Sequence, residues 1–240
     1  PNGNQIGILF AEYILNHKKD IPENGTMITT IVSTPLLDTI VKKNGKKSLR
    51  VLTGFKYIGE KIRQFENKEL DGTFLFGFEE AIGYLIGTHV RDKDAVVASM
   101  IIAEMATTFE NNGSSIYNEI MKIYEKYGWR LEITVPVTKK GKDGLEEIQK
   151  IMKSMRAKNH TEIAGIKVKE YRDYQKGIEG LPKADVIQMV LEDETYLTVR
   201  PSGTEPKIKF YISVVDSDRK VAENKLTKME KEFVNYAENL

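Results

Sequence analysis

Apolar residues at Ile6, Leu9, Phe10, Tyr13 and Ile14 recur at three- and four-residue steps and predict an amphipathic helix over 4–18. The β-branched run over 26–32 predicts a strand. Ser33-Thr34-Pro35 reads as a helix start, with a hydroxyl cap and Pro in the first turn, and Asn44-Gly45 as its end. A short buried strand is expected over 49–52. Thr53-Gly54 then turns the chain into a helix over about 55–65. A further strand spans 73–78 and ends at a turn on Glu79-Glu80. Asp94 caps a helix over 94–110 rich in Ala, Val, Ile and Met, and another helix covers 114–126. Strands alternating with helices predict an α/β domain with a largely parallel or mixed sheet.

The pattern changes after Gly128. A strand is expected over 131–137, then Gly141-Lys-Asp-Gly144 and a helix over 145–156. Extended segments follow near 166–170, 185–191, 195–200 and 208–215, and an amphipathic helix over 217–238 closes the chain. Strands bracketed by two helices predict a small α+β domain on an antiparallel sheet. The boundary falls between Tyr127 and Lys142, giving domains 1–130 and 131–240. No internal repeat or low-complexity tract is evident.

The 240 residues suit one or two domains, and 40% hydrophobic content supports packed cores. A net charge of +1, with both signs spread along the chain, argues against a dedicated nucleic-acid binder. The absence of Cys excludes disulfides, a thiolate nucleophile and Cys-based metal sites, and accords with a cytoplasmic protein. No apolar run approaches the ~20 residues of a membrane span, and no signal peptide is visible. The opening Pro1-Asn2, without Met, suggests a chain processed or cut from something longer.

Two loops carry candidate chemistry. In Arg200-Pro-Ser-Gly-Thr-Glu-Pro-Lys207, Gly203 lets backbone approach a ligand, and Ser202 and Thr204 can donate to phosphate oxygens. Arg200 supplies a planar fork, and Lys207 and Lys209 share a strand face, so one hairpin end offers three cations to an anion. The same residues equally describe a hairpin loop with solvated charges. Glu79 and Glu80, at the end of a buried strand, can accept sugar hydroxyls or simply form a solvated turn or helix cap. Lys93, between Asp92 and Asp94, reads by itself as a surface ion-pair cluster.

The Arg200 loop resembles the C-terminal phosphate-binding loop of the α-D-phosphohexomutase superfamily. The resemblance implies phosphate contacts at Arg200, Ser202, Gly203 and Thr204, with Lys209 where some relatives have a further Arg. Phe78-Glu-Glu-Ala-Ile-Gly-Tyr84 is similar to the superfamily's sugar-binding loop and looks most like the phosphoglucomutase/phosphopentomutase branch. Glu79 falls on the Glu that grips sugar hydroxyls, and Ala81 stands where most relatives carry Ser. Thr53-Gly-Phe-Lys56 resembles the Thr-Gly-Trp-Lys turn beside the sugar phosphate, which implies roles for Thr53, Gly54 and Lys56. Arg91-Asp-Lys-Asp94 resembles a segment whose Lys binds substrate, here Lys93. Asn2-Gly-Asn-Gln-Ile-Gly7 resembles the stretch after the family's metal loop, so the likeness covers essentially the whole chain.

The resemblance implies the third and fourth domains of a four-domain enzyme. The family's phosphoserine loop and its Mg²⁺ loop have no counterpart here. Asp216-Ser-Asp-Arg219 imitates the metal loop, but Asp216 as a helix cap, with Asp218 near the positive helix end, explains it. His17, His89 and His160 form no metal spacing. The expectation is therefore the substrate-recognition half of a mutase for glucose 1- and 6-phosphate, inactive as a fragment. Its partners are a phosphorylated sugar and the missing N-terminal domains, with no nucleic acid and no membrane. A phosphopentomutase, a phosphomannomutase and a non-catalytic phosphosugar-binding module are the alternatives.

Overall fold

Asn2 accepts from the Gln5 backbone N–H and the Gln5 side chain accepts from that of Asn2, both at 2.9 Å, and this capping box starts helix α1 (Gly3–His17). In this computed structural model, residues 1–139, 141–203 and 205–239 are described. The chain divides into two compact units, Pro1–Gly128 and Trp129–Leu240.

Unit 1 continues with β1 (Gly25–Thr30), α2 (Leu36–Lys43), β2 (Lys47–Val51), α3 (Phe55–Glu66), β3 (Thr73–Glu79), β4 (Gly83–Ile86), α4 (Ala95–Asn111) and α5 (Ile116–Tyr127). The sheet order is β2-β1-β3-β4, with the first three strands parallel and β4 antiparallel. The α2 connection runs from β1 to β2 and the α3 connection runs back from β2 past β1 to β3, so right-handed crossovers in opposite directions place α2 and α3 on opposite faces. Phe55, Ile58 and Ile62 of α3 pack on Ile28, Val51, Phe74 and Leu85. On the α1 side, Phe10 lies 5.7 Å from Phe76 and 5.2 Å from Tyr84 between ring centroids. The strand β4 was not legible in the pattern, because four residues after a tight turn lack a periodic signal of their own.

Two local readings are corrected. Pro35 itself, which makes no side-chain bond, takes the N-cap position of α2, and the expected hydroxyl contact comes from Thr34. Thr34 Oγ1 accepts from the Leu36 N–H at 3.2 Å, and the Ser33 hydroxyl is used elsewhere. The β-branched run also leaves β1 after Thr30, so Ile31 and Val32 form the turn.

Unit 2 comprises β5 (Trp129–Thr138), α6 (Gly141–Ala157), β6 (Glu162–Ile163), β7 (Ile166–Asp173), β8 (Ile187–Leu191), β9 (Tyr196–Pro201), β10 (Lys207–Asp216) and α7 (Arg219–Glu238). Its antiparallel sheet runs β5-β10-β9-β8-β7-β6, including the two-residue β6 that the sequence pattern does not show. Alternate residues Leu197, Val199, Ile208, Phe210, Ile212 and Val214 face Met152 and Met155 of α6 and Met229 and Phe233 of α7. The intervening residues, Arg200 and Lys209 among them, therefore point to the other face. At the start of α7 the cap is Asp218, which accepts from the Val221 N–H; Asp216 accepts from the Asp218 N–H, so its expected capping role is corrected.

His160 ties α6 to α7. Its Nε2 donates to the Met155 carbonyl at 2.5 Å, so Nδ1 accepts from the Tyr236 hydroxyl at 2.8 Å. Burial pushes this imidazole below the ordinary histidine range. The folded state then binds fewer protons than the unfolded chain, so stability falls as pH drops through about 6.5, the unfolded value. Thermal melts between pH 5 and 7.5 are expected to show that slope, and His160→Gln to reduce it.

Candidate functional site

Parallel strands deliver their C-terminal ends to one edge, and ligands collect where the strand order reverses. In unit 1 that edge holds Thr30 at the end of β1, Thr53-Gly54 after β2 and Glu79 at the end of β3. Gly54 has φ 121° and ψ 122°, a region open to glycine, and it aims the first free N–H of α3 outward. That N–H donates to Glu79 Oε1 at 2.7 Å. Thr53, Gly54 and Glu79 are thus brought together, and the second Glu79 oxygen is left for other donors.

Lys93 reaches the same corner. Its stem lies against Gly83, where a Cβ would come within 2.7 Å of Lys93 Cδ. Its ammonium sits 5.2 Å from the centre of the Phe55 ring and 2.8 Å from Asp92 Oδ1. The Asp92 carboxyl is held below its usual range by that hydrogen bond. Asp94 does not join the pair: it caps α4 and binds His89 at 2.7 Å. Lys56 stands slightly apart, its ammonium 4.8 Å from the Tyr57 ring centre.

Thr30 and Arg50 were given no site role by the sequence reading; Ser33 entered it only in a helix start, and Glu80 only as half of the Glu79-Glu80 pair, with no partners assigned. The Glu80 carboxyl is raised above the carboxylate range, mainly by burial. It accepts from Ser33 Oγ at 3.1 Å and from Thr30 Oγ1 at 3.4 Å. The only signal was the hydroxyl-rich end of β1, which reads equally as strand and helix cap.

In unit 2, Arg200 and Lys209 are direct cross-strand partners. Among the described residues neither forms an ion pair with a carboxylate. Like charges placed opposite each other on a sheet are destabilising, so a polyvalent anion is the ligand that this face would accept. Lys207 does not complete a triad of free cations: it pairs with Glu205 at 2.8 Å and holds that carboxyl below its usual range. Ser202 donates its N–H to the Lys207 carbonyl at 2.7 Å, which leaves Gly203 at the tip with open space around it. Thr204 lies outside the described residues. Among the described residues no group of three or more acidic or His side chains is arranged to hold a metal ion. No helix among them is long and apolar enough to cross a membrane.

The family model for the α/β/α domain III of phosphoglucomutase/phosphomannomutase matches residues 2–124, and the model for its C-terminal domain matches 132–225. The chain belongs to the phosphoglucomutase/phosphomannomutase family. A phosphoglucomutase of Staphylococcus aureus is 36% identical over 225 residues, covering 89% of this chain and 40% of its own length. The chain therefore spans about 40% of the curated relatives it matches, and it corresponds to domains III and IV. Its fold is shared by Paramecium pp63/parafusin, a phosphoglucomutase, with TM-score 0.66 and 16% identity over 98% of this chain and 42% of that one. A phosphoglucomutase/phosphomannomutase family protein of Burkholderia thailandensis has TM-score 0.60 at 12% identity, covering 98% of this chain and 41% of its own.

Proposed function

We propose that this family member is the substrate-recognition half of a phosphosugar mutase whose parent polypeptide interconverts glucose 1-phosphate and glucose 6-phosphate. The observation that carries the reading is the pair Arg200 and Lys209, opposed across β9 and β10 beside a Gly-containing turn and, among the described residues, in no ion pair with a carboxylate, which makes it a candidate dianion site. Arg200, Ser202, Gly203, Thr204 and Lys209 hold the phosphate that is not reacting. Glu79 accepts sugar hydroxyls through the oxygen that Gly54 leaves free. Lys93 supplies a point charge, and Thr53, Gly54 and Lys56 border the sugar. Domains 1–130 and 131–240 divide these tasks, sugar to the first and phosphate to the second.

In the parent, a phosphoserine outside this chain phosphorylates the free hydroxyl, and the bisphosphate returns its other phosphate after reversing its pose. Mg²⁺ would supply charge neutralisation in the parent. Either pose presents hydroxyls to Glu79 and a phosphate to Arg200, so one recognition half serves both. Ala81 removes a hydroxyl present in most relatives, which leaves the choice among glucose, mannose and pentose phosphates to be settled by rates.

A coupled assay tests this directly. The 240-residue chain is expected to show no turnover, and the parent polypeptide to convert glucose 1-phosphate faster than mannose 1-phosphate or ribose 1-phosphate. Turnover by the chain alone would overturn the division of labour. Phosphosugar binding by a natural protein without the Ser and metal loops would support the non-catalytic module. Glu79→Gln is expected to raise KM about tenfold or more, the scale of a charged hydrogen bond.

A further inference from the structure

Glu80 follows the carboxylate assigned to the sugar, yet the reading above gives it no task. Like Glu79 it is half-buried, and its side chain accepts from the neutral donors Ser33 and Thr30. Besides the two bonds from Ser33 and Thr30, its own N–H donates to Ser33 Oγ at 3.1 Å. The two hydroxyls lie 2.8 Å apart, so Thr30, Ser33 and Glu80 form one closed cluster.

The turn that carries Ser33 is itself fixed. Arg50 Nη1 donates to the Thr30 and Ser33 carbonyls at 2.9 and 3.1 Å, and Nη2 donates to the Thr34 carbonyl at 3.1 Å. Arg50 Nε is paired with Asp38 at 2.8 Å. From α1, Asn4 Oδ1 accepts from the Thr34 N–H at 3.0 Å. The Glu80 carbonyl is pressed against Gly3, where a Cβ would come within 2.0 Å of its oxygen.

The loop needs such anchoring. Ile82 sits at φ 61°, strained for a β-branched residue, and its side chain is 72% exposed. A strained turn persists only where its surroundings over-determine it. Glu80 is half-buried, and a carboxylate withdrawn from water without a cation costs stability, so its hydrogen bonds to Ser33 and Thr30 point to a role in position rather than fold strength. Glu79 is the other charge facing it, and Arg50 faces the carbonyls of the same turn, its charge matched by Asp38.

We propose that Glu80 is a positioning residue: its bonds to Ser33 and Thr30 latch the strained 79–83 loop to the end of β1 and thereby hold the Glu79 carboxylate at the N-terminus of α3, where it meets the sugar hydroxyls. The proposal rests on the reading of Glu79 as the sugar-binding group. Gly54, at the start of α3, holds Glu79, and the residues at and after the end of β1 hold Glu80, so the loop is gripped at two consecutive residues by two different elements.

The test uses the parent polypeptide with glucose 1-phosphate. Glu80→Ala is expected to raise KM about tenfold with kcat changed less than about threefold, the scale of losing hydrogen bonds to a charged group. Glu80→Gln, which keeps an acceptor for Ser33, is expected to restore KM to within about threefold. Ser33→Ala is expected to reproduce part of the effect and to add little on top of Glu80→Ala, because both cut one latch. Melting temperatures measured alongside separate this from a structural role: a KM rise that follows only lost folded protein overturns the proposal. Glu80→Ala within twofold of wild type, while Glu79→Gln raises KM tenfold, overturns the latch alone. An unaffected Glu79→Gln overturns the sugar-binding reading and the latch with it.

Discussion

Arg200→Ala is expected to raise the KM of the parent polypeptide for glucose 1-phosphate by about ten- to a hundredfold while leaving unit 2 no less stable. A charge-assisted hydrogen bond contributes about 1.5–3 kcal/mol, which converts to that range at about 1.4 kcal/mol per tenfold. Stability should be unchanged or slightly higher, because Lys209 stands directly opposite and the substitution removes a repulsion. Arg200→Lys keeps the charge but loses the planar fork, so its KM should fall between the two. Lys209→Ala, a point charge on a flexible stem, should have the smaller effect. Steady-state kinetics with melting curves check this pattern. An unchanged KM with a raised melting temperature would identify the pair as ordinary surface charge.

Phe210→Ala carries the largest expected stability effect. Phe210 is fully buried in β10, and its ring meets Phe233 of α7 edge-on at 5.7 Å and 90°. Truncating a buried Phe costs about 3–5 kcal/mol through lost transfer and an unfilled cavity. For a domain of this size, about 1 kcal/mol shifts the midpoint by roughly 4–8 °C, so the midpoint should fall by well over ten degrees. Amide exchange in β8, β9 and β10 should accelerate in parallel. Because Lys209 precedes Phe210 on the same strand, phosphate affinity should fall with the folded fraction rather than independently of it. Phe210→Leu, which refills most of the volume, should recover most of the loss.

The long periodic elements were legible from residue pattern alone. Helices α1, α3, α4 and α5 have apolar positions at helical spacing, and Asp94 caps α4 as its position suggested. Strands β9 and β10 place their apolar residues Leu197, Val199, Ile208 and Phe210 at alternate positions, which puts Arg200 and Lys209 on the other face before any coordinates are consulted. The short elements were not legible. Strands β4 and β6 are short arms of hairpins with β3 and β7, and four or two residues carry no period by which to see them.

The candidate site divides the same way. Glu79, Lys93, Gly54 and the Arg200 loop were visible because motif chemistry is local: a Gly, a carboxylate or a cation at a fixed offset. Lys207 was misjudged because its pairing with Glu205 depends on how the turn closes. Of the two Asp residues beside Lys93, Asp92 pairs with it, while Asp94 serves as the helix cap that its position suggested.

By itself the sequence determined which segments fold, which faces are buried and which loops carry phosphate- and sugar-binding residue types, since these follow from side-chain period and identity. Only the tertiary structure decided that Gly54 donates to Glu79, that Arg200 faces Lys209, and that Ser33 and Thr30 close on Glu80. Each joins residues carried by different strands or by the turns that follow them, and strand order and register fix those distances only once the sheet has formed.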